Sequence, residues 1–378
     1  MSIQLTSAQL RFLRQRSQRL GPRDQLAPLP PDQVVRAVCA VQAQDAYAAV
    51  LSVWTRGAGL TSADVERARS VERSLVRTWC LRGTLHLLAA EDLGWMLALL
   101  GPFFAAAGRS RRLALGLDDE TCARGLKLLR DVLGGAGPLL RPDIVDRLAG
   151  KGLALGGQAV PHLLAKAAFD GLICLGPDIK NKATYVLLED WLGIQPPLPR
   201  LEALACLARR YLQAHGPAAP ADLASWSGLP AGDVRAAWGV AAPELVEIDF
   251  EGSPLWMLKS QAGWMGEMPS SMKETAVRLL PAFDTYLLGY KRRDLVIADA
   301  DFRRVNNGGG IIHPVALVDG RAAGTWRMVQ KRGRLEVMIE PFGEFPAAAL
   351  PGLEAEAADL GRFLGLAGEA KIEMAERG

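Results

Sequence analysis

Three stretches of the chain repeat one order of patterns: apolar-periodic helical segments, then two short alternating runs about a turn. That recurrence constrains the fold most. Each set is a small unit whose apolar faces must be buried against one another. In the first set, Ser7 is placed to cap an amphipathic run over 9–20, which Gly21-Pro22 ends. A helix over 33–41 follows Pro30-Pro31-Asp32, the apolar pattern resumes over 46–53, and 62–69 fits a third helix. Residues 74–88 then read as extended, with 75–79 and 84–87 flanking the turn residues Arg82-Gly83.

The second set has helical segments at 120–133, 142–148 and 157–170, with strand-like runs at 172–175 and 184–188. Between those runs lies a polar basic turn, 176–182, of the size of a wing. The third set has helices at 201–215, 221–227 and 231–240 and a hairpin of 245–250 with 255–258. This is the order of a winged helix, three times over. The expected fold is therefore mainly α with β-hairpins (α+β), as three tandem winged-helix domains at 1–117, 118–194 and 195–262. The proline-rich 195–199 marks the second boundary. A C-terminal hairpin-rich region, 263–378, should pack on them. There, 314–318 and 324–329 flank Asp319-Gly320, a strong hairpin signal. Residues 335–340 pair back across Lys331-Arg332-Gly333-Arg334, and a helix over 353–363 closes the chain.

Composition narrows the function class less than the pattern does. The chain carries 44 basic and 41 acidic residues, a formal charge of +3, which does not by itself point to nucleic acid. Arginine outnumbers lysine. That suits bidentate phosphate contacts, and it is equally what a GC-rich genome produces. The five cysteines are scattered, mostly in apolar runs, and read as buried free thiols in a reducing compartment. The opening Met-Ser-Ile-Gln-Leu-Thr has no basic region followed by an apolar one, and no apolar stretch is long enough to span a bilayer. A cytoplasmic protein is expected. The four histidines are too dispersed for a metal motif, and no phosphate loop follows Gly308-Gly309-Gly310, so no metal or cofactor is expected.

Gln42 and Gln44 interrupt an apolar run. On a continuous helix they would point ~200° apart, so they can share a site only where the backbone breaks. Asp45 is a credible N-cap for the next helix, which puts both amides at a helix junction. Taken alone, the spacing favours two polar residues of an ordinary turn.

The surrounding sequence sharpens that choice. Val41-Gln42-Ala43-Gln44-Asp45 resembles the catalytic Gln-hydrophobe-Gln motif of the winged-helix DNA glycosylase family, that of AlkZ and the YcaQ-like proteins. Arg77-x-Trp79-x-x-Arg82-Gly83-Thr84-x-His86 resembles the family's first hairpin. The runs 280–290 and 317–327, among them Phe283-Asp284-Thr285-Tyr286 and Asp319-Gly320-Arg321, resemble its C-terminal signatures. The resemblance implies a glycosylase that removes cationic alkylated purines of the N7-alkylguanine type from double-stranded DNA. Interstrand crosslinks of an azinomycin-like natural product would be included, as self-resistance. It implies Gln42 and Gln44 as the catalytic pair.

Asp45 and Asp284 are further candidate carboxylates, each with a structural alternative: a cap for Asp45, a turn hydrogen bond for Asp284. Expected DNA contacts are Arg82, Thr84 and His86 in the matched hairpin and Lys180 and Lys182 on the wing. Arg292, Arg293, Arg303, Arg304, His313 and Arg321 in the C-terminal region complete the set. Arg11, Arg14, Arg16 and Arg19 read as a solvated helix face. A cation is already a good leaving group, so neutral amides that place a water suffice, and with no lysine beside the motif a monofunctional enzyme is expected. The protein should act as a monomer. The alternative class is a non-catalytic winged-helix regulator; 158–166 and 231–240 are too apolar for groove-reading helices.

Overall fold

The computed structural model describes residues 3–268, 276–331 and 333–375. It divides into two compact units, one of residues 1–65 with 208–378 and one of 66–207.

In the 66–207 unit, the strands Leu75–Trp79 and Leu85–Ala89 form an antiparallel hairpin, and Ile173–Leu175 and Thr184–Leu187 form a second. Arg77 pairs with Leu175 and so joins the two hairpins edge to edge. Leu139–Leu140 adds to Thr184–Leu187 on the outside. Hairpins expected in separate repeats thus share one sheet. The helices Asp119–Leu133, Arg141–Gly150 and Ala159–Phe169 cover it, burying Leu129, Ile144, Leu163 and Leu164 against Ile173 and Leu187. Local sequence starts these helices. Asp118 accepts from the Thr121 amide, and Asp119 and Glu120 complement the dipole in the first turn. Pro142 stands in the first turn of the next helix, where no amide donor is needed. The apolar helix Ala90–Ala107 crosses Ala159–Phe169 so closely at Gly101 that a β-carbon there would lie 2.1 Å from the Phe169 carbonyl oxygen. Among the described residues, no helix is long and apolar enough to cross a membrane.

The other unit opens with the helix Ser7–Ser17, started by a reciprocal cap between Thr6 and Gln9. Leu10 and Leu13 of that helix pack with Ile248 and Met257 of the hairpin Leu245–Phe250 and Ser253–Leu258. The expected solvated arginine face is only partly found. Arg14 is buried, donates to the Pro217 carbonyl and stacks on Tyr290 at 3.8 Å, because the helix is covered on that side too. The C-terminal region forms a sheet in the order Val277–Leu280, Val315–Val318, Arg321–Lys331, Arg334–Pro341 and Ala370–Met374. Both expected hairpins are there. Positive φ at Asp319 and Gly320 makes the first turn; Arg332, in the second, lies outside the described residues. The sequence reading lacked the two edge strands. Val277–Leu280 is buried throughout, Arg278 included, and carries no alternation; Ala370–Met374 is a five-residue edge strand, half-buried to exposed. The helix Leu350–Phe363 buries Leu353, Ala357, Leu360 and Phe363.

The helix Ala46–Arg56, directly after the glutamine motif, is held at its far end by three side chains. Trp54 donates to Asp359 at 2.8 Å and Thr55 to the Leu279 carbonyl at 3.3 Å. Arg56 makes a bidentate pair with Asp284, at 2.7 and 2.8 Å, with both side chains fully buried. Ser52 and the Tyr286 amide also donate to Asp284, and Gln18 accepts from Arg56 and donates to His215. Phe283 takes a left-handed backbone, φ 58°, which a bulky residue rarely adopts. The turn it makes delivers Asp284 to this position. Replacing Arg56 with leucine would strand a buried carboxylate. The expected loss is about 3–5 kcal/mol of stability, measured by urea unfolding of the variant against the parent chain.

Candidate active site

The helix Pro31–Ala37 ends at Cys39, whose φ of 66° turns the chain out of the helix. Val41–Gln42 is then extended, and the next helix starts at Ala46. Burial alternates across the motif: Val41 and Ala43 are buried, Gln42 is half-buried and Gln44 is exposed. The strand spans only Val41–Gln42, and the chain bends at Gln44 and Asp45 before the helix. The separation a helix would impose is gone.

Asp45 stands at the start of the helix Ala46–Arg56, and its Oδ1 accepts from the amides of Tyr47 and Ala48 at 2.9 and 3.0 Å. That is an N-cap, the structural alternative that the sequence offered. Next to it opens a cleft of about 550 Å³. Asp45, Tyr47, Ala48 and Leu51 form one wall, and Pro281 and Ala282 lead into the Phe283-Asp284 turn. Arg304, His313 and Pro314, with Thr325, Trp326, Arg327, Met328 and Glu340 of the C-terminal sheet, complete the lining. Arg304 lies over the Phe342 ring at 4.6 Å and donates to the Pro341 carbonyl; Arg327 faces Glu340 at 3.9 Å. A larger cleft of about 780 Å³, between Arg16, Arg19, Arg209, Lys259 and Trp264, contains none of the motif.

The structure thus brings Asp45, Arg304 and His313 to one cleft beside the motif. Asp284 lies behind it, fully buried in its pair with Arg56. Arg303 and Arg321 are exposed; Arg292 is exposed and paired with Asp294, while Arg293 donates to the Leu287 carbonyl and is partly buried. In the 66–207 unit, Lys180 and Lys182 are exposed in the turn between two strands, where Ile179 bridges to Lys182. Arg82 has a left-handed backbone, and the Thr84 hydroxyl donates to the Leu81 carbonyl. His86, expected at DNA, is 2% exposed and sits against the Thr84 carbonyl. Burial, and then the nearby Arg82, push its pKa down to about 3, so the ring is neutral. Sequence reasoning missed Tyr47 and Glu340 in the cleft. A helical tyrosine and a strand glutamate carry no signal of their own, although Tyr47 lies two residues past the motif's aspartate.

The family model for DNA glycosylase AlkZ-like proteins matches residues 35–363. An interstrand DNA cross-link repair glycosylase of Streptomyces sahachiroi is 32% identical over 368 residues, which cover 93% of this chain and 95% of that protein. The solved structure of Streptomyces sahachiroi DNA glycosylase AlkZ aligns with a TM-score of 0.82 and 28% identity, over 99% of this chain and 100% of that one.

Two measurements check the local physics. Asp45→Ala should cost about 1 kcal/mol of stability and Asp45→Asn almost none, because asparagine caps as well as aspartate; urea unfolding reads both. His86 is neutral in folded and unfolded chains above about pH 6.5. Below that the unfolded chain takes up a proton that the folded chain refuses, so stability falls as pH drops from about 6.5 toward 3. Melting at pH 7.5 and at pH 5 should differ less for His86→Gln than for the parent chain.

Proposed function

Because the chain belongs to the AlkZ-like DNA glycosylase family, we propose that it hydrolyses the N-glycosidic bond of cationic alkylated purines of the N7-alkylguanine type. It unhooks interstrand crosslinks left by a DNA-alkylating natural product of the azinomycin kind, as self-resistance. The observation that supports this reading is the open cleft that begins at Asp45, directly after Gln42 and Gln44 in the chain; the glutamines themselves are not among its lining residues.

The chemistry follows from the leaving group. An N7-alkylguanine carries a positive charge, so the C1′–N9 bond can break with its electron pair going to the base, which departs neutral. No acid has to protonate it. The sugar becomes oxocarbenium-like, a water oxygen bonds to C1′, and the water's extra proton passes to solvent. An amide can accept from that water while donating elsewhere, and it cannot act as a strong base. Gln42 and Gln44 are accordingly assigned to place the water. Asp45 starts the helix that fixes them, and its charge lies at the cleft where the sugar cation would develop. Asp284 is assigned a positioning role, since Arg56, Ser52 and the Tyr286 amide engage it. Lysine does not occur in the described cleft lining, which fits hydrolysis without a Schiff base.

A base joined to both strands cannot swing freely out of the duplex, so the substrate needs an open site. Three winged helices, at 1–117, 118–194 and 195–262, with the region 263–378, would present the double-stranded DNA as a monomer in the cytoplasm. Lys180 and Lys182, on an exposed turn, are assigned to phosphates. Arg82, Thr84, Arg292, Arg293, Arg303, Arg304, His313 and Arg321 are the further candidate DNA contacts. His86 is reassigned to packing on the strength of its burial.

Incubation with a duplex holding one N7-methylguanine should leave an abasic site, read as strand breaks that appear only after alkali. Gln42→Ala and Gln44→Ala should each lower single-turnover excision by roughly a hundredfold or more while duplex binding stays unchanged. Full rates in both variants would remove the glutamines from the mechanism. No excision of simple or crosslinked adducts by the parent chain would sink the substrate assignment.

A further inference from the structure

We propose that Tyr47 determines specificity in this site: its ring stacks on the alkylated purine and selects for the positive charge that alkylation creates. The proposal rests on the glycosylase reading above and deepens it. Tyr47 lies in the first turn of the helix Ala46–Arg56, two residues past Asp45 and three past Gln44, and lines the 550 Å³ cleft. It is 44% exposed, whereas Trp54, the other aromatic of the same helix, is buried and hydrogen-bonded. Its ring therefore does little for the core.

The ring is nonetheless held in place. Gln330, on the strand Arg321–Lys331, donates to the Tyr47 hydroxyl at 3.3 Å, tying the helical wall of the cleft to the C-terminal sheet. Burial, with Asp45 adding to it, raises the hydroxyl's pKa, so it stays protonated at neutral pH. Two carboxylates, Asp45 and Glu340, line the same cleft, and its arginines are engaged by Phe342, the Pro341 carbonyl and Glu340.

A fixed aromatic face beside carboxylates attracts a cationic ring more strongly than a neutral one of the same shape. N7-alkylation puts a full charge on the purine's imidazole ring, and undamaged guanine has none. Stacking also makes no demand on the alkyl group itself, so it tolerates a bulky or crosslinked substituent that a close-fitting hydrogen-bond pocket would reject. A cleft of this volume holds a purine with its adduct.

The test compares two non-reacting duplexes. One holds 2′-fluoroarabino-N7-methylguanine, which keeps the charge and resists hydrolysis; the other holds 7-methyl-7-deazaguanine, which keeps the shape without the charge. The parent chain should bind the charged duplex roughly tenfold more tightly. Tyr47→Phe, which keeps the ring, should preserve most of that ratio. Tyr47→Leu should bring it near one, with binding to undamaged duplex unchanged. Equal affinities in the parent chain, or a parental ratio in Tyr47→Leu, overturn the stacking role while N7-methylguanine excision by the parent chain leaves the glycosylase reading standing. If the parent chain excises neither simple nor crosslinked adducts, that reading fails first and the role of Tyr47 falls with it.

Discussion

The fully buried pair between Arg56 and Asp284 is the interaction on which the candidate site depends. Burying two charges is expensive, and attraction between them returns that cost only when geometry is good and the remaining polar atoms are satisfied. The first condition holds here, and the second holds except at the Arg56 Nε, which is buried without a partner. The pair is bidentate, and Ser52, Gln18 and the Tyr286 amide supply further bonds. Its effect is to fix the far end of the helix that starts at Asp45 against the turn that leads from the C-terminal sheet. The near end of that helix follows the glutamines in the chain and forms one wall of the cleft. A shift of that end by an ångström would move Asp45 and Tyr47 relative to the opposite wall.

The cleft shows how a site can be built from distant pieces of chain without a strong acid or base. One wall is a helix start, where backbone amides are satisfied by Asp45; the other is a twisted sheet that contributes Trp326 and Glu340. The Trp326 indole donates to the Leu280 carbonyl, which ties the sheet's edge strand to the cleft floor. The same sheet is braced from behind by the helix Leu350–Phe363. There Glu356 takes two bonds from Arg23 and one from Arg278, so the N-terminal and C-terminal parts of this unit share one ionic clasp. Rigid elements on both sides suit a substrate recognised by charge and shape.

Much of this was legible in the sequence, and the failures are specific. The hairpins over 75–88 and 314–329 announced themselves by strand-like runs about Gly-containing turns, and Asp45 was readable as a cap from its place before an apolar run. The edge strands Val277–Leu280 and Ala370–Met374 were not: the first is buried on both faces and carries no period, and the alternation of the second spans only five residues. Arg14 read as a surface charge and is buried, since a single helix cannot say what will cover its polar face. His86 was expected at DNA and is buried, because both faces of its strand are covered, which the strand itself does not record.

By itself the sequence determined the local events: where helices start, where chains turn, and that two glutamines stand two residues apart. These depend on neighbours within a few residues, through capping, φ preference and period. Tertiary structure alone decided that Val41–Gln42 is extended, and that Tyr47, Glu340 and His313 meet at one cleft. It also decided that Asp284 is sealed against Arg56, 228 residues away in the chain. Contacts over such separations are set by which apolar faces exclude water together, and no local pattern records that choice.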